Sequence, residues 1–180
     1  MKRLYECFFR MLVKAAHWLY HIEGVNACLL IAPAKLIPDI LRSYQAAIGT
    51  DVQIHSPIFI HNAGKNYAHL TIGNGCYVGR SVFFDLKEPV VLEDRATLSM
   101  RVSLLTHFDA GRAQVKTFLP VSSGPIRVCR DSYLGAGAIL LAGVTVGECS
   151  AVGAGSVVLK SIGGHELYAG NPAVKIRDLH

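Results

Sequence analysis

The segment Leu105-Thr106-His107-Phe108-Asp109 sets an imidazole between an aliphatic pair and a long stretch without regular apolar spacing. A histidine at the root of such a loop is placed to act as a general base. An imidazole has an ordinary pKa of about 6.5 and is mostly neutral at neutral pH. It can take a proton from a hydroxyl or an amine as that group attacks a thioester, whose thiolate departs easily because a thiol pKa is only about 8.5. General-base assistance of this kind contributes on the order of 10²–10⁴-fold. The residues alone leave an equal alternative, a histidine that anchors the loop by bonding to backbone. No serine or cysteine stands beside a base in this segment, so an acyl-enzyme is not indicated.

What must position His107 is a repeat of six. Val128, Leu134, Leu140, Val146, Val152 and Val158 recur without a miss, with Gly135, Gly147 and Gly153 directly after three of them. A helix repeats near 3.6 and a strand alternates at 2, so neither explains the pattern. Short strands turning the same way at each corner do, and hexapeptide repeats mark a parallel β-helix. Upstream, Ile48, Ile54 and Ile60, then Ile72, Val78 and Phe84, then Leu92, Leu98 and Leu104 keep step. Each triple is one three-sided coil, giving five coils over residues 46–162. The breaks are His61–Thr71, Lys87–Val90 and the long loop at 106–125. A solenoid that loops out once at length commonly carries its function there.

The remaining composition sets limits. At 180 residues the chain is one main domain with appendages. A net charge of +5 without clustered basic and aromatic residues argues against nucleic acid. The five cysteines, odd in number and without CxxC spacing, read as reduced thiols of a cytoplasmic protein. Residues 1–45 form a helical apolar cap. From Met1 to Ile22, Glu6, Arg10, Lys14, His17 and His21 make one thin polar stripe on an otherwise apolar helix. Two readings stay open: a cap on the first coil or on a neighbouring subunit, and a helix lying on a membrane surface with Lys2, Arg3, Arg10 and Lys14 towards lipid head groups. Arg10 and Lys14 argue against a transmembrane span, and no small-residue cleavage site suggests a removed signal. Pro33 and Pro38 are expected to break the next apolar stretch.

Pro125-Ile126-Arg127-Val128, Tyr133-Leu134-Gly135-Ala136-Gly137, Leu140 through Gly147, Val152 through Lys160 and the tail Ala169-Gly170-Asn171-Pro172-Ala173 together resemble the hexapeptide-repeat acyltransferases. Among these the chain is most similar in style to the maltose, galactoside and surface-polysaccharide O-acetyltransferases. The resemblance is strong over 70–177, looser over 46–69 and absent before. It implies an all-β, left-handed parallel β-helix with a short helical tail at 163–180, assembled as a homotrimer that binds acetyl-CoA between subunits. It implies no metal.

Position by position, the resemblance makes His107 the catalytic base. Ala136 and Ala154 would line the pantetheine arm, and Lys160 and Arg177 would meet the CoA phosphates. Lys175 stands where relatives carry a lysine one place earlier. Tyr133 falls where some sugar acetyltransferases hold an aromatic residue near the acceptor. Asp85 is a further candidate acceptor contact, and Asp109 a candidate to orient His107 or bind a sugar hydroxyl. The implied activity is O-acetylation of a sugar in a surface polysaccharide or glycan precursor, with N-acetylation of an amino sugar as the alternative.

Two departures bear on the acceptor. Galactoside and maltose enzymes place an asparagine where Gly79 aligns, and a proline after the histidine where this chain has Phe108. Zinc enzymes of the same coil need three converging histidines, and the position five after His107 is Arg112. A non-catalytic scaffold would leave His107 dispensable.

Overall fold

The computed structural model describes residues 2–180, with side chains from Leu4 onward. Met1 and the side chains of Lys2 and Arg3, expected on the basic flank of the first helix, lie outside the described residues. Helix α1 (Lys2–Leu29) runs well past Ile22, with a break at His21, where φ is 53° and ψ −142°. The bend folds the two halves together: a Cβ on Gly24 would stand 2.1 Å from the Ala16 carbonyl oxygen, so only glycine fits. Phe9, Val13, Ile22, Val25 and Leu29 are buried, whereas Leu4, Phe8, Met11, Trp18 and Leu19 on the opposite side are exposed. Pro38 does not break structure as expected. It sits in the first turn of α2 (Ile37–Ser43), where its missing N–H costs nothing, and Ile37, Ile40 and Leu41 are buried.

The repeat is realised coil by coil. The first coil comprises β1 (Ala47–Ile48), β2 (Gln53–Ile54) and β3 (Ile58–His61). The second has β4 (Leu70–Ile72), β5 (Tyr77–Val78) and β6 (Val82–Asp85), and the third β7 (Val90–Leu92), β8 (Thr97–Leu98) and β9 (Ser103–Leu104). The loop carries β10 (His107–Phe108) and β11 (Ser122–Ser123). The fourth coil is β12 (Ile126–Val128), β13 (Tyr133–Leu134) and β14 (Ile139–Leu140), and the fifth β15 (Thr145–Val146), β16 (Ala151–Val152) and β17 (Val157–Val158). Strands stack in parallel into three sheets, β1-β4-β7-β12-β15, β2-β5-β8-β13-β16 and β3-β6-β9-β14-β17. These are the first, second and third sides of a prism.

Register follows the repeat: Leu98 pairs with Leu134 and Leu134 with Val152, Leu104 with Leu140 and Leu140 with Val158. Every residue of the six-step series is buried except Ile48, which is half-buried at the open start of the stack. Glycine follows several of these because coils approach closely there. A Cβ on Gly135 would lie 2.5 Å from the Ala154 backbone nitrogen. The insertion at 61–71 is less polar in effect than its composition suggests. Tyr67 is fully buried and donates its hydroxyl to Asn26 Oδ1 at 2.8 Å, tying α1 to the coil.

The tail is not helical. β18 (Glu166–Ala169) adds in parallel to β16, and β19 (Val174–Asp178) turns back antiparallel to β18. A sixth strand on the second side satisfies the backbone edge that a helix would leave open. The turn between them crosses the last strand of the third side, with the Val157 N–H donating to the Gly170 carbonyl and the Ala173 N–H to the Val157 carbonyl.

Candidate active site

One edge of the prism, where the third side gives way to the first, gathers a column of polar groups from three successive coils. Asn62 follows β3, Asp85 ends β6 and His107 begins the loop after β9. His107 Nδ1 lies 2.5 Å from Asp85 Oδ2, and Asn62 Nδ2 donates to Asp85 Oδ1 at 2.8 Å. Thr106 donates to the same carboxylate from its N–H and its hydroxyl, each at 2.9 Å, and the His107 N–H reaches it at 3.1 Å. A charge this deep needs such a shell of donors. Burial alone would push the Asp85 carboxyl up, but the bonds from His107, Asn62 and Thr106 and the Lys87 N–H outweigh it and hold the group below the ordinary carboxylate value.

An ionised Asp85 fixes the imidazole tautomer. With Nδ1–H donated to the carboxylate, Nε2 keeps its lone pair and can accept a proton. The His107 side chain is 30% exposed and that of Asp85 only 2%. This corrects the expectation that Asp85 contacts an acceptor, since its oxygens are spent on the protein's own donors. Asp109 does not orient His107 either. Its carboxylate bonds Lys116 Nζ at 2.9 Å and the Gly111 N–H at 2.8 Å, closing the loop on itself. The loop is held at its root by antiparallel pairing of His107 with Ser123.

His107 opens into a cleft of about 420 Å³ whose apolar walls include Leu105, Leu119, Leu141 and Leu159. Leu159 also borders a groove of about 520 Å³ lined by Lys160, Tyr168, Pro172 and Lys175. The two therefore meet along the same edge, from the imidazole to the tail. These leucines were not expected. Their signal was present, because Leu104-Leu105, Leu140-Leu141 and Val158-Leu159 put a leucine after the inward residue on this side only, whereas on the other two sides glycine or a polar or small residue follows.

Other expected residues divide among separate sites. Lys160 is exposed on the His107 edge and forms no ion pair among the described residues. Lys175 is held by Glu166 and Asp178, each at 2.7 Å, which raises its pKa and commits its charge. Arg177 is exposed on β19. Ala136 and Ala154 stack on a different edge, between the second and third sides, and Tyr133 projects from the second side, across the prism from His107. Within one chain these sets do not meet. Among the described residues, no group of three or more His, Cys, Asp or Glu side chains is arranged to hold a metal ion.

Comparison with known proteins gives this geometry a context. Residues 125–160 match the family described as hexapeptide repeat of succinyl-transferase. Proteins of Staphylococcus aureus named as acetyltransferases are 44% identical over 57 residues, which is 32% of this chain and 29% of theirs, so the match spans under a third of their length. The Escherichia coli K12 protein WcaF, named as an acetyltransferase of colanic acid biosynthesis, is 30% identical over 139 residues, 77% of this chain and 72% of that one. A hexapeptide-repeat acetyltransferase from Vibrio cholerae, solved with acetyl coenzyme A, superposes with a TM-score of 0.75 at 17% identity over 96% of this chain and 87% of its own. The 30% identity to WcaF along most of both chains, with the matched hexapeptide repeat, makes this chain a member of the hexapeptide-repeat acetyltransferases.

Proposed function

We propose that the protein transfers an acetyl group from acetyl-CoA to a hydroxyl of a sugar in a surface polysaccharide or glycan precursor, in the cytoplasm, with His107 as general base. The observation that carries this reading is the Asp85–His107 pair at the head of an apolar cleft that continues to Lys160. His107 Nε2 takes the acceptor proton as its oxygen attacks the acetyl carbonyl. Asp85 stabilises the imidazolium that forms, and backbone N–H groups hold the oxyanion. The carbon–sulfur bond breaks as the acetyl group passes directly to the acceptor, without a covalent enzyme intermediate, and the imidazolium returns its proton to the departing thiolate. Lys160 and Arg177 supply charge for the CoA phosphates, whereas Lys175 acts mainly within the tail.

The separation of His107 from Ala136, Ala154 and Tyr133 supports a site shared between copies in a homotrimer. One protomer brings the imidazole edge, and its neighbour brings the small-residue edge for the pantetheine arm. The bare apolar face of α1 supports burial against a neighbouring subunit. A membrane surface is the second reading, favoured by exposed Trp18 beside Lys14.

Thiol release from acetyl-CoA, followed over sugars, amino sugars and nucleotide sugars, tests the reaction. Acceptor-dependent release with O-acetylated product supports it. N-acetylated product replaces O- by N-transfer, and no release with any acceptor removes the proposal.

A further inference from the structure

Asn62 has no part in the reaction as described so far, yet it is the only side chain from the first coil that reaches the Asp85–His107 pair among the described residues. It lies directly after β3, at the start of the insertion, with φ at 56°. Asparagine tolerates this left-handed backbone better than most residues, and the turn directs its amide along the edge. Nδ2 sits 2.8 Å from Asp85 Oδ1 and 3.5 Å from His107 Nδ1. The shorter contact is the bond; across the longer one two donors face each other, because Nδ1 carries the proton given to Asp85.

The consequence is a division of labour between two oxygens. Oδ1 accepts from Asn62 and, at 3.3 Å, from the Lys87 N–H, while Oδ2 accepts from Thr106 and His107. Thr106 and His107 are adjacent and pull on one oxygen from the start of the loop. Asn62 opposes them from two coils away. We propose that Asn62 is a positioning residue for the acetyl transfer. Its amide locks the rotation of the Asp85 carboxylate and withdraws part of its charge, so that the imidazole is held in the Nδ1–H tautomer and gives up its proton again after each turnover. This rests on the proposed role of His107.

Other ionisable side chains stand near the pair. His61 is the register partner of Asp85 in the first coil, and Asp109 lies farther along the loop, paired with Lys116. Lys87 follows Asp85 by two residues, and the Glu88 carboxylate accepts from the hydroxyl of Ser123, the register partner of His107. None of these side chains bonds the carboxylate or the imidazole, so their charges do not substitute for the amide.

Two variants separate positioning from folding. Asn62→Gly keeps the left-handed backbone and deletes the amide, and Asn62→Asp keeps the shape but places a second carboxylate beside the first. The full-length protein labelled with ¹⁵N-histidine, titrated by NMR and assigned by loss of the His107 signals in His107→Gln, needs no acceptor. The account expects the His107 midpoint to rise by roughly one pH unit in Asn62→Asp, as a like charge near the pair favours imidazolium, and by less in Asn62→Gly. In thiol release from acetyl-CoA, the acid limb of the kcat profile should move up with it, with the KM for acetyl-CoA unchanged. A purely structural role would lower stability and leave the Asn62→Gly midpoint in place, and that result overturns the proposal. If His107→Gln turns over like wild type, the reading of the site fails. If His107→Gln is inactive while Asn62→Gly titrates as wild type, only the positioning role fails.

Discussion

His107 Nδ1 stands 2.5 Å from Asp85 Oδ2, with the aspartate side chain 2% exposed and the histidine 30%. The buried member is the fixed charge and the open member is the one that can exchange protons with a ligand. Several outcomes depend on that order.

Asp85→Asn should preserve the fold and lower kcat on the order of 10²-fold, because an amide leaves the imidazole tautomer unspecified and offers no charge to an imidazolium. Steady-state thiol release with an identified acceptor measures it. The KM for acetyl-CoA should not move, since the carboxylate is buried beneath the imidazole.

The same carboxylate makes stability depend on acid. Its pKa is held below the ordinary value in the fold, so the unfolded chain binds its proton more tightly. Its contribution is complete above the unfolded carboxylate value of about 3.9 and is lost as pH falls towards the depressed folded value. Thermal melts should show Tm of the wild type falling more steeply below about pH 4 than that of Asp85→Asn.

The sequence repeat placed each coil, because one inward aliphatic residue per side is a constraint that every strand must obey. The column at the edge was less legible. Asn62, Asp85 and His107 are 23 and 22 residues apart, and insertions of different length separate them from their coils, so only stacking reveals that they touch. Asp85 was visible as a polar residue after Phe83-Phe84, but its burial depends on Thr106 and His107 folding over it. The tail was misjudged because Glu166–Ala169 lacks the six-residue spacing. Its strand character comes from the open edge of β16.

Lys160→Ala should raise the KM for acetyl-CoA by several-fold to about tenfold, as expected for losing one charge-assisted contact to phosphate. Lys175→Ala should change it little, because Glu166 and Asp178 already hold that ammonium. Initial rates over a range of acetyl-CoA distinguish the two.

A shared site predicts complementation. His107→Ala and Ala154→Trp protomers should each be inactive alone, the second because the exposed indole fills the pantetheine edge. Refolded together in equal amounts, they should regain about a quarter of wild-type activity, the fraction of seams that carry both native residues. Sites contained in single chains would regain none.

The most direct measurement is turnover of acetyl-CoA by His107→Ala beside wild type, in the presence of an acceptor that the wild type uses, with folding checked by circular dichroism. A folded variant slower by at least about 100-fold is the expected result. A folded variant that releases thiol at the wild-type rate would contradict the role of His107 and with it the chemistry assigned to this edge.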